Sequence, residues 1–327
     1  MILTGDCRDI LPTLGAESVD CVVTSPPYWG PRDYGMSEQI GLEDTLDEYI
    51  ESIRGVAKEI YRVLKPGGTF WLNVGDKYAN SGICGNGDPT IGQKPKGARI
   101  PKPRKMDYPD KCLILVPSRV AIALIDDGWI LRNEIIWSKT NPMPSSAPDR
   151  CTNSHESIYL FVKQQKYYFD QGAIAEPAST NHKQVRGSKG VIGHPNSGLR
   201  SKIGGNKFPG NGGASHTYSG KPYISSGHRN KRDVWVFPTA ASENASDEIP
   251  HYAKYPEILP RWCILAGCPI GGTVLDPFSG SGTTGKVALE LGMKYIGIEL
   301  NPTYAQASEK KIGAHLQTRL SLEVNVE

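Results

Sequence analysis

Val274-Leu275-Asp276-Pro277-Phe278-Ser279-Gly280-Ser281-Gly282-Thr283-Thr284-Gly285 runs from an apolar stretch through an acid and a proline into a cluster of small residues. The apolar start predicts a strand over Thr273 to Asp276, and the small residues predict a turn that opens a helix over Thr284 to Leu291. Residues 280–285 match the spacing G-x-G-x-x-G. Glycine lets the backbone approach a ligand closely, and a helix N-terminus offers N–H donors that the helix itself leaves unpaired. The next predicted strand, Tyr295 to Glu299, ends in a carboxylate 23 residues after Asp276. An acid placed there can accept hydrogen bonds from both hydroxyls of a ribose. Turn and acid together favour a bound adenosine over a turn that only packs a helix on a strand. A nicotinamide cofactor and S-adenosyl-L-methionine both contain that unit. Asp276 at the strand tip suits the ammonium of a methionine moiety and would repel a pyrophosphate.

Outward from this turn, strands and helices alternate. A helix is expected over Glu257 to Ala266 before it, and a last helix from Thr303 after it. In the N-terminal half, Val19 to Val23 is a β-branched run that stops at Thr24-Ser25-Pro26-Pro27, where two prolines remove two ladder donors. From Leu46, apolar residues recur at 49, 50, 53, 56, 57, 60, 61 and 64, the spacing of one helix face. Lys65-Pro66-Gly67-Gly68 is expected to terminate that helix. Thr69 to Val74, Ile130 to Trp137 and Ser157 to Val162 read as further strands, with a helix over Pro117 to Asp126. This alternation predicts an α/β fold: a doubly wound, mostly parallel, Rossmann-like sheet covered on both faces.

The formal net charge of +3 conceals a segregation. Residues 171–232 hold ten Lys/Arg against one acid, Glu176, and residues 77–111 hold eight against three. The remainder carries 19 bases against 30 acids, so two basic segments sit on an acidic body. Such segments suit a polyanion and also suit plain solvation. Both are rich in glycine and lack periodicity, which predicts long loops. No apolar run approaches the ~18 residues of a membrane span. The seven cysteines are scattered without a C-x-x-C pair, which favours reduced side chains in small gaps over a metal site.

Thr24-Ser25-Pro26-Pro27-Tyr28-Trp29 follows a strand and should project from the carboxyl edge of the sheet, where ligands bind in open α/β folds. Methylating an exocyclic amine requires the nitrogen lone pair to be freed from conjugation with its ring. Acceptors aimed at the N–H groups do this, here a hydroxyl and a carbonyl fixed by the locked φ of proline. Tyr28 offers a ring on which an extruded base can stack. A purely structural proline turn accounts for the same residues if they stood alone.

With both motifs in view the chain resembles the amino-methyltransferases of DNA in their permuted β arrangement, which carry D/N/S-P-P-Y/F/W and D-P-F-x-G-S-G-T-T motifs. Ser25 to Tyr28 and Asp276 to Thr284 match these, in the order catalytic motif, target-recognition region, cofactor motif. Gly5-Asp6-Cys7, Lys65 to Thr69, His155-Glu156 through Asp170, and His251 to Pro256 match secondary family blocks. The resemblance implies S-adenosyl-L-methionine as cofactor and direct transfer from sulfonium to nitrogen, with no covalent intermediate. It places Ser25, Pro26, Pro27 and Tyr28 at the target amine and base. Asp276, Pro277, Phe278, Gly280, Gly282 and Thr283 would lie around the methionine end, with Glu299 on the ribose. Asp6 would lie near the adenine, and His251 and Pro256 would line the methionine pocket.

The resemblance also divides the chain into a catalytic half (1–170, with the basic loop 77–111), a target-recognition region (171–232) and a cofactor-binding half of the same domain (233–327). Arg186, Arg200, Arg229 and Arg232 can read guanine edges bidentately, and Lys202 suits phosphate. Serine in the first motif position, with the H-x-A-x-aromatic-P form of 251–256, points to cytosine N4; adenine N6 is the alternative. The implied partner is double-stranded DNA, joined by a cognate restriction endonuclease and a second copy in a homodimer. The implied setting is the cytoplasm, associated with a bacterial or phage nucleoid. An RNA or protein-amide N-methyltransferase is a rival, usually with asparagine before the prolines and the opposite motif order. A non-catalytic DNA-binding module is another.

Overall fold

The computed structural model describes residues 1–30, 36, 38–79, 108–177, 228–240 and 255–324, the last eleven as backbone only. Arg186, Arg200, Lys202 and His251 therefore lie outside the described residues. By its internal contacts the chain divides into two units, Met1–Ile174 with Lys231–Glu327, and Ala175–Asn230.

Among the described residues the larger unit is built on one eight-stranded sheet. In chain order its elements are β1 (Ile2–Thr4), α1 (Cys7–Ile10), β2 (Val19–Thr24), α2 (Leu46–Val63), β3 (Leu64–Val74), α3 (Val116–Asp126), β4 (Ile130–Lys139) and β5 (His155–Val162). In the smaller unit, β6 (Glu176–Pro177) pairs antiparallel with β7 (His228–Arg229), tied by an Arg229–Glu176 ion pair of 3.3 Å. The larger unit resumes with β8 (Val234–Phe237), α4 (Ile258–Gly267), β9 (Thr273–Asp276), α5 (Thr283–Glu290), β10 (Lys294–Glu299) and α6 (Pro302–Val324).

The strand order is β1-β10-β9-β2-β3-β5-β4-β8. Only β5 runs against the others, antiparallel to both β3 and β4. Period-two alternation feeds two cores. Val22, Phe70, Leu72, Tyr159 and Phe161 pack on the face of α2 and α3, with Tyr49, Ile53, Ile60, Val120 and Leu124. Cys21, Val23, Trp71, Ile158, Leu160 and Val274 pack on the other, with Leu259, Cys263, Ile264, Val287 and Ala288 of α4 and α5. Helices on both faces make this the expected doubly wound, mostly parallel fold. Among the described residues no helix is long and apolar enough to cross a membrane.

Two local expectations change. Helix α2 begins with a capping box, Thr45 to Glu48, and ends at Val63, so Lys65-Pro66-Gly67-Gly68 does not follow it as a separate terminator. Leu64 already pairs with Val19, and the ladder then shifts so that Cys21 pairs with Thr69. The four residues bulge out of β3 opposite Asp20, whose carboxylate accepts from Lys65 Nζ at 2.8 Å. A Cβ on Gly68 would stand 2.8 Å from the Asp20 carbonyl, so only glycine closes the bulge. Strand β1 was not expected; its three residues are held by parallel pairing to β10, Ile2 with Gly297 through Thr4 with Glu299.

Candidate active site

Strands β2 and β9 are parallel neighbours, with Cys21 beside Val274 and Val22 beside Leu275. They therefore end at one edge of the sheet, delivering Ser25 to Tyr28 from β2 and Pro277 to Gly282 from β9. The two motifs touch at their roots. Thr24 Oγ1 donates to Asp276 Oδ1 at 2.6 Å, across 252 positions of sequence.

Asp276 is 1% exposed, and four donor groups surround it. Oδ1 accepts from Thr24 and from the Phe278 N–H at 3.1 Å; Oδ2 lies within hydrogen-bond reach of Thr284 Oγ1 at 2.6 Å and Tyr255 OH at 3.2 Å. Tyr255 and Thr284 are also hydrogen-bonded to each other. Tyr255 and Thr284 carry one hydroxyl proton each, so when they bond to each other only one of them donates to Oδ2, and the carboxylate keeps acceptor capacity. Asp276 thus ties the two loops to α5, at the strand tip where the methionine end of the cofactor was expected. Burial raises its pKa above the ordinary carboxylate value, against the lowering effect of these donors.

Glu299 closes β10 in the same edge. Its Oε2 accepts from the Gly280 N–H at 2.8 Å and its Oε1 from the Asn301 N–H at 2.9 Å. Each oxygen keeps acceptor capacity for a further hydroxyl. Burial raises its pKa, offset in part by those backbone donors. Gly280 and Gly282 have φ of +52° and +76°, the left-handed region in which a side chain is strained. Gly282 caps α5, Thr283 and Pro277 are buried, and Phe278 packs against the α2-side core. This donor and acceptor set fits an adenosine: a carboxylate for the ribose, side-chain-free backbone in the turn, and an aromatic ring beside it.

Asp6 lies on the adjoining corner, since Gly5 N–H donates to the Glu299 carbonyl at 2.9 Å. Its carboxylate caps α1 through the Arg8 N–H at 2.8 Å and is paired with the Arg8 guanidinium. Burial would raise its pKa, but the hydrogen bonds and charge of Arg8 hold it below the ordinary value. Pro256 is half-buried beside Tyr255.

The Ser-Pro-Pro-Tyr loop is seated by groups remote in sequence. Tyr49 OH donates to the Pro27 carbonyl at 3.1 Å, and Trp29 is buried with its indole N–H on the Glu43 carbonyl at 3.0 Å. The Tyr28 ring rests on Gly75, where a Cβ would stand 2.5 Å from Cε2. Tyr28 OH donates to Glu156 Oε2 at 2.8 Å, and Ser25 Oγ donates to Tyr28 OH at 3.4 Å. Burial, reinforced by the charge of Glu156, pushes the Tyr28 pKa well above that of a free phenol. Glu156 also accepts from Asn73 Nδ2 at 3.2 Å and from Lys139 Nζ at 2.5 Å.

Sequence reasoning gave no role to Asn73 or Lys139, and named Thr24, Thr284, Tyr255 and Glu156 only within motifs or family blocks. A signal existed for Asn73, an amide within the apolar run Thr69 to Val74, and for Glu156 at the head of an apolar strand. Of the residues expected at DNA, Arg229 is ion-paired with Glu176 and Arg232 is exposed just before β8.

The DNA methylase family matches residues 19–310. The type II methyltransferase M.SmaI of Serratia marcescens is 39% identical over 311 residues, covering 95% of this chain and 90% of that protein. The PvuII DNA methyltransferase (cytosine-N4-specific) superposes with a TM-score of 0.61 at 19% identity, over 96% of this chain and 90% of that one. A putative DNA modification methylase from Thermus thermophilus, complexed with S-adenosyl-L-methionine, superposes with a TM-score of 0.53 at 21% identity, over 96% and 95%. With its proline loop and glycine turn joined at one sheet edge, the chain belongs to the DNA methylase family.

Proposed function

We propose that this protein is a type II, site-specific methyltransferase that methylates the N4 amine of cytosine in duplex DNA, using S-adenosyl-L-methionine. The observation that supports this is the Thr24–Asp276 hydrogen bond, which ties the root of the Ser25 loop to the root of the glycine turn. When bound, the cofactor supplies a methyl group on a sulfonium, activated for transfer to a nitrogen. Glu299 would hold the ribose hydroxyls, and Phe278, Gly280 and Gly282 the methionine end. Asp276 would sit with them at the methionine end while tying the two loops together. Ser25 Oγ and the Pro26 carbonyl accept the N–H groups of the target amine, localising its lone pair, while the Tyr28 ring supports the extruded base. Proximity and alignment supply most of the rate.

Serine at the first motif position supports cytosine, as does the form of residues 251–256. The segment 171–232, with ten bases against one acid, is the proposed reader of the site. Incubation with labelled cofactor and unmethylated plasmid DNA, followed by nucleoside analysis, tests the reading. N4-methylcytosine is expected; N6-methyladenine would move the specificity, and an unlabelled product would reject the activity. Ser25→Ala is expected to lower turnover on the order of a hundredfold or more with DNA affinity intact. Full turnover in that variant would remove the loop from the chemistry.

A further inference from the structure

Lys139, Glu156, Asn73, Tyr28 and Ser25 form one hydrogen-bonded line that ends at the proposed catalytic hydroxyl. Glu156 lies between Lys139 and Tyr28, and the Lys139 and Glu156 side chains are 19% and 15% exposed. A serine hydroxyl can donate or accept, so its direction must be set from outside. The neighbours set it. Asn73 Nδ2 donates to the Ser157 carbonyl at 3.2 Å and to Glu156, which fixes the amide so that Oδ1 faces Tyr28 at 3.3 Å. Among the described residues, Tyr28 OH thus meets two acceptors on that side, Glu156 Oε2 and Asn73 Oδ1. Its single proton goes to the shorter, charge-assisted contact with Glu156 at 2.8 Å. Its oxygen is then left to accept, and the Ser25 hydroxyl donates to it.

We infer that Glu156, held by Lys139, is a positioning residue that orients the Ser25 hydroxyl as an acceptor toward the target base. The Ser25 proton is committed inward, so its lone pairs are what the base meets. An amine offers hydrogens to those lone pairs, whereas a ring carbonyl offers only repulsion. The line therefore favours the amino bases over thymine and uracil before any residue reads their edges. The high phenol pKa of Tyr28 agrees, because it keeps the proton on which the direction depends.

The inference rests on the catalytic role proposed for Ser25, and the experiment separates the two. Glu156→Gln, Tyr28→Phe and the double variant are compared in single-turnover methylation of unmethylated plasmid DNA with labelled S-adenosyl-L-methionine. Glu156→Gln preserves size while removing the charge that Tyr28 donates to and one of the two acceptor oxygens shared by Tyr28, Asn73 and Lys139. It is expected to slow transfer on the order of tenfold to a hundredfold, with affinities for cofactor and DNA within about twofold of the parent. The double variant should be no slower than the slower single one, because both act through one line. Additive losses, or affinities that fall with the rate, would overturn the orienting role. Wild-type transfer by Glu156→Gln beside an inactive Ser25→Ala would discard the line and leave the loop standing. An active Ser25→Ala would discard both.

Discussion

At the scale of single residues the site depends on positions where a side chain is excluded or an acid is buried. Gly75 is one: its missing Cβ is the seat of the Tyr28 ring. Gly75→Ala is expected to displace that ring, cutting single-turnover transfer on the order of a hundredfold at an overpacking cost of about 1–3 kcal/mol of stability. A normal rate would show that the ring position is immaterial. Asp276 is another, and its stability contribution depends on pH. Burial raises its folded-state pKa, so folding favours the neutral form. Its contribution is complete below the ordinary carboxylate range and is lost as pH rises through the raised folded value. The thermal midpoint of the wild type relative to Asp276→Asn should therefore fall as pH rises above the ordinary carboxylate range. A flat or rising difference would contradict this. The residues of the two motifs were legible because each carries its chemistry in a contiguous stretch. Glu156 and Asn73 were not, because their meaning lies in Tyr28, 128 and 45 positions away.

At the scale of elements, the site is a seam between strands. Thr24 closes β2, Asp276 closes β9, and the hydrogen bond between them joins the two motif loops. Thr24→Val keeps the shape and removes the donor to a buried acid, at an expected cost of about 1.5–3 kcal/mol measured by denaturant unfolding. A loss under about 0.5 kcal/mol would mean that water or a loop shift replaces the contact. Strands β2, β9 and β10 were legible from β-branched runs ending in turn residues. The bulge at Lys65 to Gly68 was not, because Pro and Gly carry the same stop signal whether a helix ends or a strand bows outward. Strand β1 was invisible for a different reason: three residues have no period, and only the edge of β10 makes them a strand.

At the scale of the molecule, the charge segregation yields a prediction of its own. Residues 180–227 carry Lys183, Arg186, Lys189, Arg200, Lys202, Lys207 and Lys221. Deleting this span is expected to flatten the dependence of DNA affinity on salt and to abolish selection of one site, as read by binding titrations and by mapping methylated positions. An unchanged slope, or one defined site still modified, would assign DNA reading elsewhere. The sheet order has a consequence for how the protein is made. β1 at residues 2–4 pairs with β10 at residues 294–299, and β2 takes β9 as a neighbour. On a ribosome adding about 5–20 residues per second, the first strand waits on the order of 15–60 s for its partner to be synthesised. During that interval the backbone edge of β2 that β9 will cover stays unpaired in the nascent chain, so chaperone capture, rather than early vectorial folding, is the expected fate of a polypeptide arrested before residue 273.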